Sequence, residues 1–308
     1  MTTALYTHPD CLSHVTPEGH PEQVARLRHV LAALEGKALD RHEAPLAEEA
    51  DLRLCHPQRY IDHVRSSEPA EGITQMDPDT WMSPGSMRAA LRAAGGAIAA
   101  VDAVLDGRAD NAFVATRPPG HHAETESPMG FCLFGNVAIA AKHALERRGL
   151  KRVAIFDPDV HHGNGTQDLV QSDGRILFIS THQQPLYPGT GNRDEYGPHD
   201  TIRNIPLPPE TDGETYRMIV TQQVLPKIES FAPELILLSS GFDAHKDDPL
   251  ASVNLETQDF AWLTDQMTAL AAKVCGGRLV SCLEGGYNLE ALAEAAAVHV
   301  DGLIAAGA

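Results

Sequence analysis

Short apolar runs alternate with longer alanine-rich segments along most of the chain. The runs Ala112-Phe-Val-Ala115, Val153-Ala-Ile-Phe156, Ile176-Leu-Phe-Ile179, Leu235-Ile-Leu-Leu238 and Leu279-Val-Ser-Cys282 are apolar at nearly every position instead of every second one. A strand patterned this way buries both of its faces, as strands of parallel sheets do. Segments 83–106, 136–148, 214–230, 257–274 and 289–304 read as helices, many of them rich in alanine. The alternation predicts an α/β fold with a mostly parallel central sheet and helices on both faces.

No internal repeat, low-complexity tract or long polar linker divides the chain, so one domain over 1–308 is the simpler reading. Residues 68–84 and 183–201 read as long turn-rich loops. In open α/β sheets ligands bind beyond the carboxyl ends of the strands, and that is where several polar clusters of this chain fall.

Composition narrows the classes. With 43% hydrophobic and 21% charged residues the chain reads as globular, and no apolar run approaches the ~20 residues needed to cross a bilayer. The segment Met1-Thr-Thr-Ala-Leu-Tyr-Thr-His8 has neither the basic start nor the apolar stretch of a secretory signal, so a cytoplasmic location is expected. The five cysteines (Cys11, Cys55, Cys132, Cys275, Cys282) are odd in number and show no Cys-x-x-Cys spacing, which argues for core residues over disulfides or a cysteine zinc cluster. A balance of 24 Lys+Arg against 42 Asp+Glu, a formal charge of −18, disfavours direct nucleic-acid binding. It suits cationic ligands such as lysine-rich peptides or polyamines, although such acidity mostly serves solubility.

Four clusters carry candidate chemistry. Phe156-Asp-Pro-Asp-Val-His-His-Gly-Asn-Gly-Thr166 runs from an apolar strand into two aspartates and two histidines. If the chain stays extended, Asp157, Asp159 and His161 share one side, and carboxylate oxygen with imidazole nitrogen can bind one metal. Pro158 fits only near a strand end. Arg117-Pro-Pro-Gly-His-His122 places adjacent imidazoles, suited to proton transfer near neutral pH, in a rigid loop. Ser239-Ser-Gly-Phe-Asp-Ala-His-Lys-Asp-Asp-Pro249 supplies Asp243 at a strand end, and Leu283-Glu-Gly-Gly-Tyr-Asn288 puts Tyr287, a candidate donor to an oxyanion, in a flexible glycine turn. Taken singly, each also fits a blander role: a polar turn, a loop surface, a helix cap, ordinary aromatic packing.

Together these clusters resemble the histone deacetylase family, the wider group that includes acetylpolyamine amidohydrolases and acetoin-utilisation proteins. The matching segments are His20-Pro-Glu-Gln-Val-Ala-Arg26, Asp79-Thr80, 117–122, Gly130-Phe-Cys132, 157–165, Tyr187-Pro-Gly-Thr-Gly191, Gly241-Phe-Asp243 and 284–288, spread in order over nearly the whole chain. The resemblance implies an arginase/deacetylase-like fold and a zinc-dependent amidohydrolase that removes acetyl or other acyl groups from the side-chain amine of lysine in peptides or proteins.

The same resemblance assigns roles. Asp159, His161 and Asp243 are implied as ligands of a zinc ion with open positions, which polarises the amide carbonyl and activates water, while Tyr287 donates to the developing oxyanion. His122 is implied as general base, leaning on Asn164, with His121 deeper and oriented by Asp157. Asn164 stands where an aspartate is frequent, a trait of the class II branch, and a neutral partner implies a less elevated His122 pKa. Phe131 and Tyr187 are implied to wall an acyl-lysine tunnel, Gly130 to offer its carbonyl to the amide N–H, and Asp79 to hold the substrate backbone at the rim. Leu250 occupies the place of an acidic gatekeeper in polyamine-specific members, which favours acyl-lysine over a polyamine. A potassium ion is implied beside the zinc, on carbonyls of Asp157, Asp159 and His161 and the hydroxyl of Ser180. Arg26 reads either as lining an acetate-release passage or as a structural salt bridge.

Gln23-Val24 replaces the family's common Arg-Pro, and Pro158 replaces a usually bulky residue. Neither departure removes a ligand, but both bear on loop shape and on any surface through which a homo-oligomer could form; the sequence leaves the oligomeric state open. Three rivals stay open: an acetylpolyamine amidohydrolase, an arginase-like two-metal ureohydrolase suggested by Gly241-Phe-Asp-Ala-His-Lys-Asp247, and a non-catalytic acyl-lysine-binding module.

Overall fold

The computed structural model of the chain describes residues 2–307; Met1 and Ala308 lie outside the described residues. The strands are β1 (Thr3–Thr7), β2 (Asp40–Glu43), β3 (Thr74–Gln75), β4 (Trp81–Met82), β5 (Asn111–Val114), β6 (Val153–Asp157), β7 (Ile176–Gln183), β8 (Ile202–Leu207), β9 (Leu235–Ser240) and β10 (Leu279–Leu283). Eight of them form one sheet in the order β2-β1-β5-β10-β9-β6-β7-β8, and every neighbouring pair is parallel. β3 and β4 pair as a small antiparallel hairpin inside the expected loop 68–84.

The apolar runs explain the layers. Side chains alternate across a strand, so Ile155 and Leu237 enter one core while Phe156 and Leu238 enter the other. Helices Ser86–Leu105 and Asn136–Glu146 cover the first face; Val24–Ala33, Thr257–Cys275 and Leu289–Ala306 cover the second. The expected parallel sheet with helices on both faces is therefore what the chain forms. The segment read as a helix over 214–230 is helical from 213 to 231, with a π-helical stretch at Val220–Val224. All five cysteines are free and buried.

Four strands adjacent in the sheet, β5, β10, β9 and β6, are those whose following loops hold the four polar clusters. Parallel strands end on one edge, so Gly120 and Glu284, 164 residues apart in sequence, meet there.

Candidate active site

The segment after β6 does not stay extended. The strand ends at Asp157 and the chain bends, with the N–H of Asp159 donating to Asp157 Oδ1 at 3.1 Å and that of His161 to Asp159 Oδ1 at 2.9 Å. The expected one-sided strand geometry is thus replaced by a turn in which each carboxylate braces the residue two positions on. Asp159 and His161 still converge, and Asp243 joins them from the loop after β9. These three buried side chains each bring a ligand atom within 4.8 Å of the others.

Glycines let the carboxylates close in. A Cβ on Gly285 would lie 2.1 Å from Asp243 Oδ2 and 2.5 Å from Asp159 Oδ2, so only glycine fits beneath them. The Gly285 N–H donates to Asp159 Oδ2 at 2.9 Å, and the Val160 N–H to Asp243 Oδ1 at 2.9 Å.

The charge balance asks for a cation. Burial and the neighbouring Asp159 push the Asp243 carboxyl up to about 7. Burial likewise lifts Asp157 to about 6 against the pull of His121, and Glu284 to about 7. Burial disfavours a proton on His161, yet hydrogen bonds to Asp159 and Asp243 outweigh it and hold that imidazole up at about 10. Two carboxylates and an imidazole with an excess of buried negative charge are the donor set of a divalent metal, and O,O,N ligation suits zinc.

Adjacent histidines have different partners. His121 Nδ1 lies 3.1 Å from Asp157 Oδ2 and its Nε2 3.8 Å from Asp159 Oδ2. Against the cost of burial, those two carboxylates raise its pKa well above the ordinary value. His122 Nδ1 lies 2.7 Å from Asn164 Oδ1. Burial and the positive character of His121 and His161 drive the His122 pKa well below the ordinary value.

His122, His161 and Tyr287 line one cavity of about 370 Å³, together with Asp79, Gly130, Phe131, Tyr187 and Leu250. The Tyr187 ring stands nearly perpendicular to His122, centroids 5.2 Å apart, and the Tyr287 ring meets the edge of Phe131 at 5.7 Å. Burial, with Asp243 and Asp159 nearby, raises the Tyr287 pKa, so the hydroxyl keeps its proton. Gly130 has φ +56°, and a Cβ there would strike His122 Cδ2 at 2.2 Å. Asp79 lines the cavity, but its Oδ1 accepts from the Gly130 N–H at 2.9 Å, which braces the tunnel wall. Ser180 pairs in register with Asp157 across β6 and β7, and its hydroxyl lies 2.9 Å from His182 Nδ1. Arg26 is fully buried and takes the salt-bridge form, reaching Glu22 at 3.0 Å.

The glycine turn expected to be flexible is tied down. Arg26 donates to the carbonyls of Gly286 at 2.6 Å and Glu284 at 2.5 Å, and its guanidinium lies 4.8 Å from the Tyr287 ring centroid. Sequence reasoning missed Glu284 as a site residue, although it sits inside a segment singled out for Tyr287. Its carboxylate accepts from the N–H groups of Gly120 at 2.7 Å and His121 at 3.2 Å, joining the histidine loop to the tyrosine turn. It also missed Glu124, which accepts from Asn164 Nδ2 at 2.8 Å, and Trp81 and Leu186, which line the cavity.

Comparison with known proteins agrees with this geometry. The family model described as the histone deacetylase domain matches residues 20–303. A probable deacetylase of Archaeoglobus fulgidus is 40% identical over 94% of this chain and 82% of its own length. The histone deacetylase-like amidohydrolase of Pseudomonas aeruginosa is 40% identical over 88% of this chain and 73% of its length. The crystal structure of the HDA15 HD domain superposes with a TM-score of 0.92 at 33% identity, covering 98% of this chain and 88% of that one. Among the described residues no helix is long and apolar enough to cross a membrane. With its parallel sheet, its converging Asp159, His161 and Asp243, and matches over nearly its whole length, this chain belongs to the histone deacetylase family of deacetylase hydrolases.

Proposed function

We propose that this chain is a zinc-dependent deacylase acting on acyl-lysine in peptides or proteins. The observation that carries the reading is the meeting of His122, His161 and Tyr287 in one cavity whose other lining is largely apolar. A zinc ion held by Asp159, His161 and Asp243 would supply Lewis acidity for an amide carbonyl and for water. A potassium ion on the carbonyls of Asp157, Asp159 and His161 and the Ser180 hydroxyl belongs to the same proposal, supported by the pairing of Asp157 with Ser180. So does the cytoplasmic location.

This chain's own groups supply the rest. His122 takes a proton from the attacking water at Nε2 and returns it to the departing amine, a task for an imidazole that is neutral at rest. His121, kept protonated by Asp157 and Asp159, adds positive charge behind the reacting centre. Tyr287 donates its hydroxyl hydrogen to the carbonyl oxygen as negative charge builds there. Phe131 and Tyr187 shut water away from the lysine stem, the Gly130 carbonyl accepts from the amide N–H, and Asp79 takes the substrate backbone at the mouth.

Leu250 at the cavity wall supports a peptide over an acetylated polyamine, whose second ammonium group needs charge at that position. One three-residue metal group among the described residues supports a single-metal deacylase over a two-metal ureohydrolase. The test is carboxylate release from an acetyl-lysine peptide and from acetylputrescine by zinc-loaded protein. Faster turnover of the peptide supports the proposal, preferential turnover of acetylputrescine moves the substrate to polyamines, and turnover of neither overturns the acetyl substrate in favour of another acyl group or a binding role.

A further inference from the structure

A tyrosine that must meet an oxyanion has to be placed within fractions of an ångström, because donors stabilise charge only at hydrogen-bond distance. In this chain the side of the turn before Tyr287 is held by Arg26 on two carbonyls, by Phe242 N–H on the Gly285 carbonyl at 3.0 Å, and by Asp159 on the Gly285 N–H. On the other side Asn288 caps the next helix, accepting from the Ala291 N–H at 3.0 Å and donating to the Asp247 carbonyl at 3.1 Å, while the Tyr287 N–H itself is taken by a carboxylate. Asp248 Oδ2 accepts from the backbone N–H of Tyr287 at 2.7 Å and of Asn288 at 3.4 Å, while its Oδ1 accepts from the Leu250 N–H at 3.0 Å. Asp248 is 6% exposed and lies outside both the metal group and the cavity lining. Three N–H groups and no cation use up this carboxylate, so its hydrogen bonds all go to setting backbone.

We infer that Asp248 is a positioning residue for Tyr287, fixing the tyrosine's peptide plane and tying it to Leu250 at the cavity wall. The inference rests on the proposed role of Tyr287 as oxyanion donor. An asparagine at 248 keeps the volume, but its NH2 end faces N–H groups on one side or the other. Tyr287 would swing away without losing any atom of its own.

The test is a double-mutant cycle on zinc-loaded protein with an acetyl-lysine peptide, reading kcat and KM for wild type, D248N, Y287F and D248N/Y287F. Loss of one oxyanion donor lowers kcat by about a hundredfold or more, and D248N is expected to lose at least about tenfold in kcat at unchanged zinc content. The double variant should lie within about threefold of Y287F, because a displaced tyrosine and a missing hydroxyl are the same loss. Wild-type kcat in D248N, or losses that multiply in the double variant, would overturn the inference while leaving Tyr287 its role. Full turnover by Y287F would overturn the role of Tyr287 and the inference together. If D248N does not fold by circular dichroism, Asp248→Glu, which keeps the charge one methylene further out, replaces it, and the same non-additivity decides.

Discussion

His122 Nδ1 lies 2.7 Å from Asn164 Oδ1, and the far end of the same amide donates to Glu124 Oε1 at 2.8 Å. A carboxylate only accepts, so Glu124 turns the Asn164 NH2 toward itself and the oxygen toward the histidine. Nδ1 of His122 must then carry the hydrogen, which leaves Nε2 with the lone pair a general base needs. One exposed-side carboxylate thus sets the tautomer of a buried imidazole two residues upstream in sequence.

That chain of contacts predicts a pH effect. A base works when deprotonated, so the acidic limb of kcat/KM follows the His122 pKa in the free enzyme. The native pKa is depressed by burial and by His121 and His161; Asn164→Asp adds a negative partner and raises it. The acidic limb of the N164D profile should move to higher pH. A limb that stays in place contradicts His122 as the base.

Gly130→Ala should cripple turnover. The new Cβ would fall 2.2 Å from His122 Cδ2 and 2.5 Å from Cγ, so the ring must shift. Misplacing a reacting group by about 1 Å costs roughly a hundredfold in rate. A G130A protein with native kcat and native melting would show that His122 has room that the geometry denies.

Metal binding should release protons. With His161 held up at about 10 and Asp243 at about 7, the empty ligand set binds protons that a metal must displace. Zinc affinity should therefore rise from pH 6 to pH 8, and calorimetry in buffers of different ionisation enthalpy should show proton release. The same affinity and no buffer dependence across that range would contradict the assigned ligands.

Glu22 should matter for stability. It is fully buried between Arg117, which grips both its oxygens, and Arg26 at 3.0 Å. Burial alone would raise its pKa, but the two guanidinium charges hold it down at about 2. Removing one partner from a buried ion pair costs about 3–5 kcal/mol, so E22Q should melt on the order of 10 °C lower near neutral pH. A depressed carboxylate stabilises above its unfolded pKa and loses that contribution as pH falls through the folded one. The gap between wild type and E22Q should narrow as pH drops from the usual 4.5 toward 2. An E22Q protein melting like wild type would contradict the account.

Much of the core was legible because it is uninterrupted. The runs at 153–156, 176–179 and 235–238 bury both faces and have no other use for consecutive apolar residues. β2, with the sequence Asp40-Arg-His-Glu43, is an edge strand whose side chains are mostly exposed, so it leaves no hydrophobic pattern to read. β8, the strand at the opposite edge, breaks its apolar pattern with half-exposed Arg203 and Pro206 and with a buried Asn204 that donates to Gln167. In the site, histidines and ligand aspartates stood out by density within short segments. Asp248 and Glu22 lay inside such segments without a role, and Glu124 lay outside them, because a carboxylate that serves backbone N–H groups, a neighbouring amide or a distant arginine carries no local pattern. Glu22 and Arg117 are 95 residues apart, and only the fold brings them together.

The most direct test of the central claim is carboxylate release from an acetyl-lysine peptide by the zinc-loaded protein beside its His122→Ala and Tyr287→Phe variants. The account predicts turnover by the native chain and a loss of at least about a hundredfold in kcat in each variant with zinc still bound. Native turnover that survives either change would contradict the assignment of His122 and Tyr287 to the chemistry.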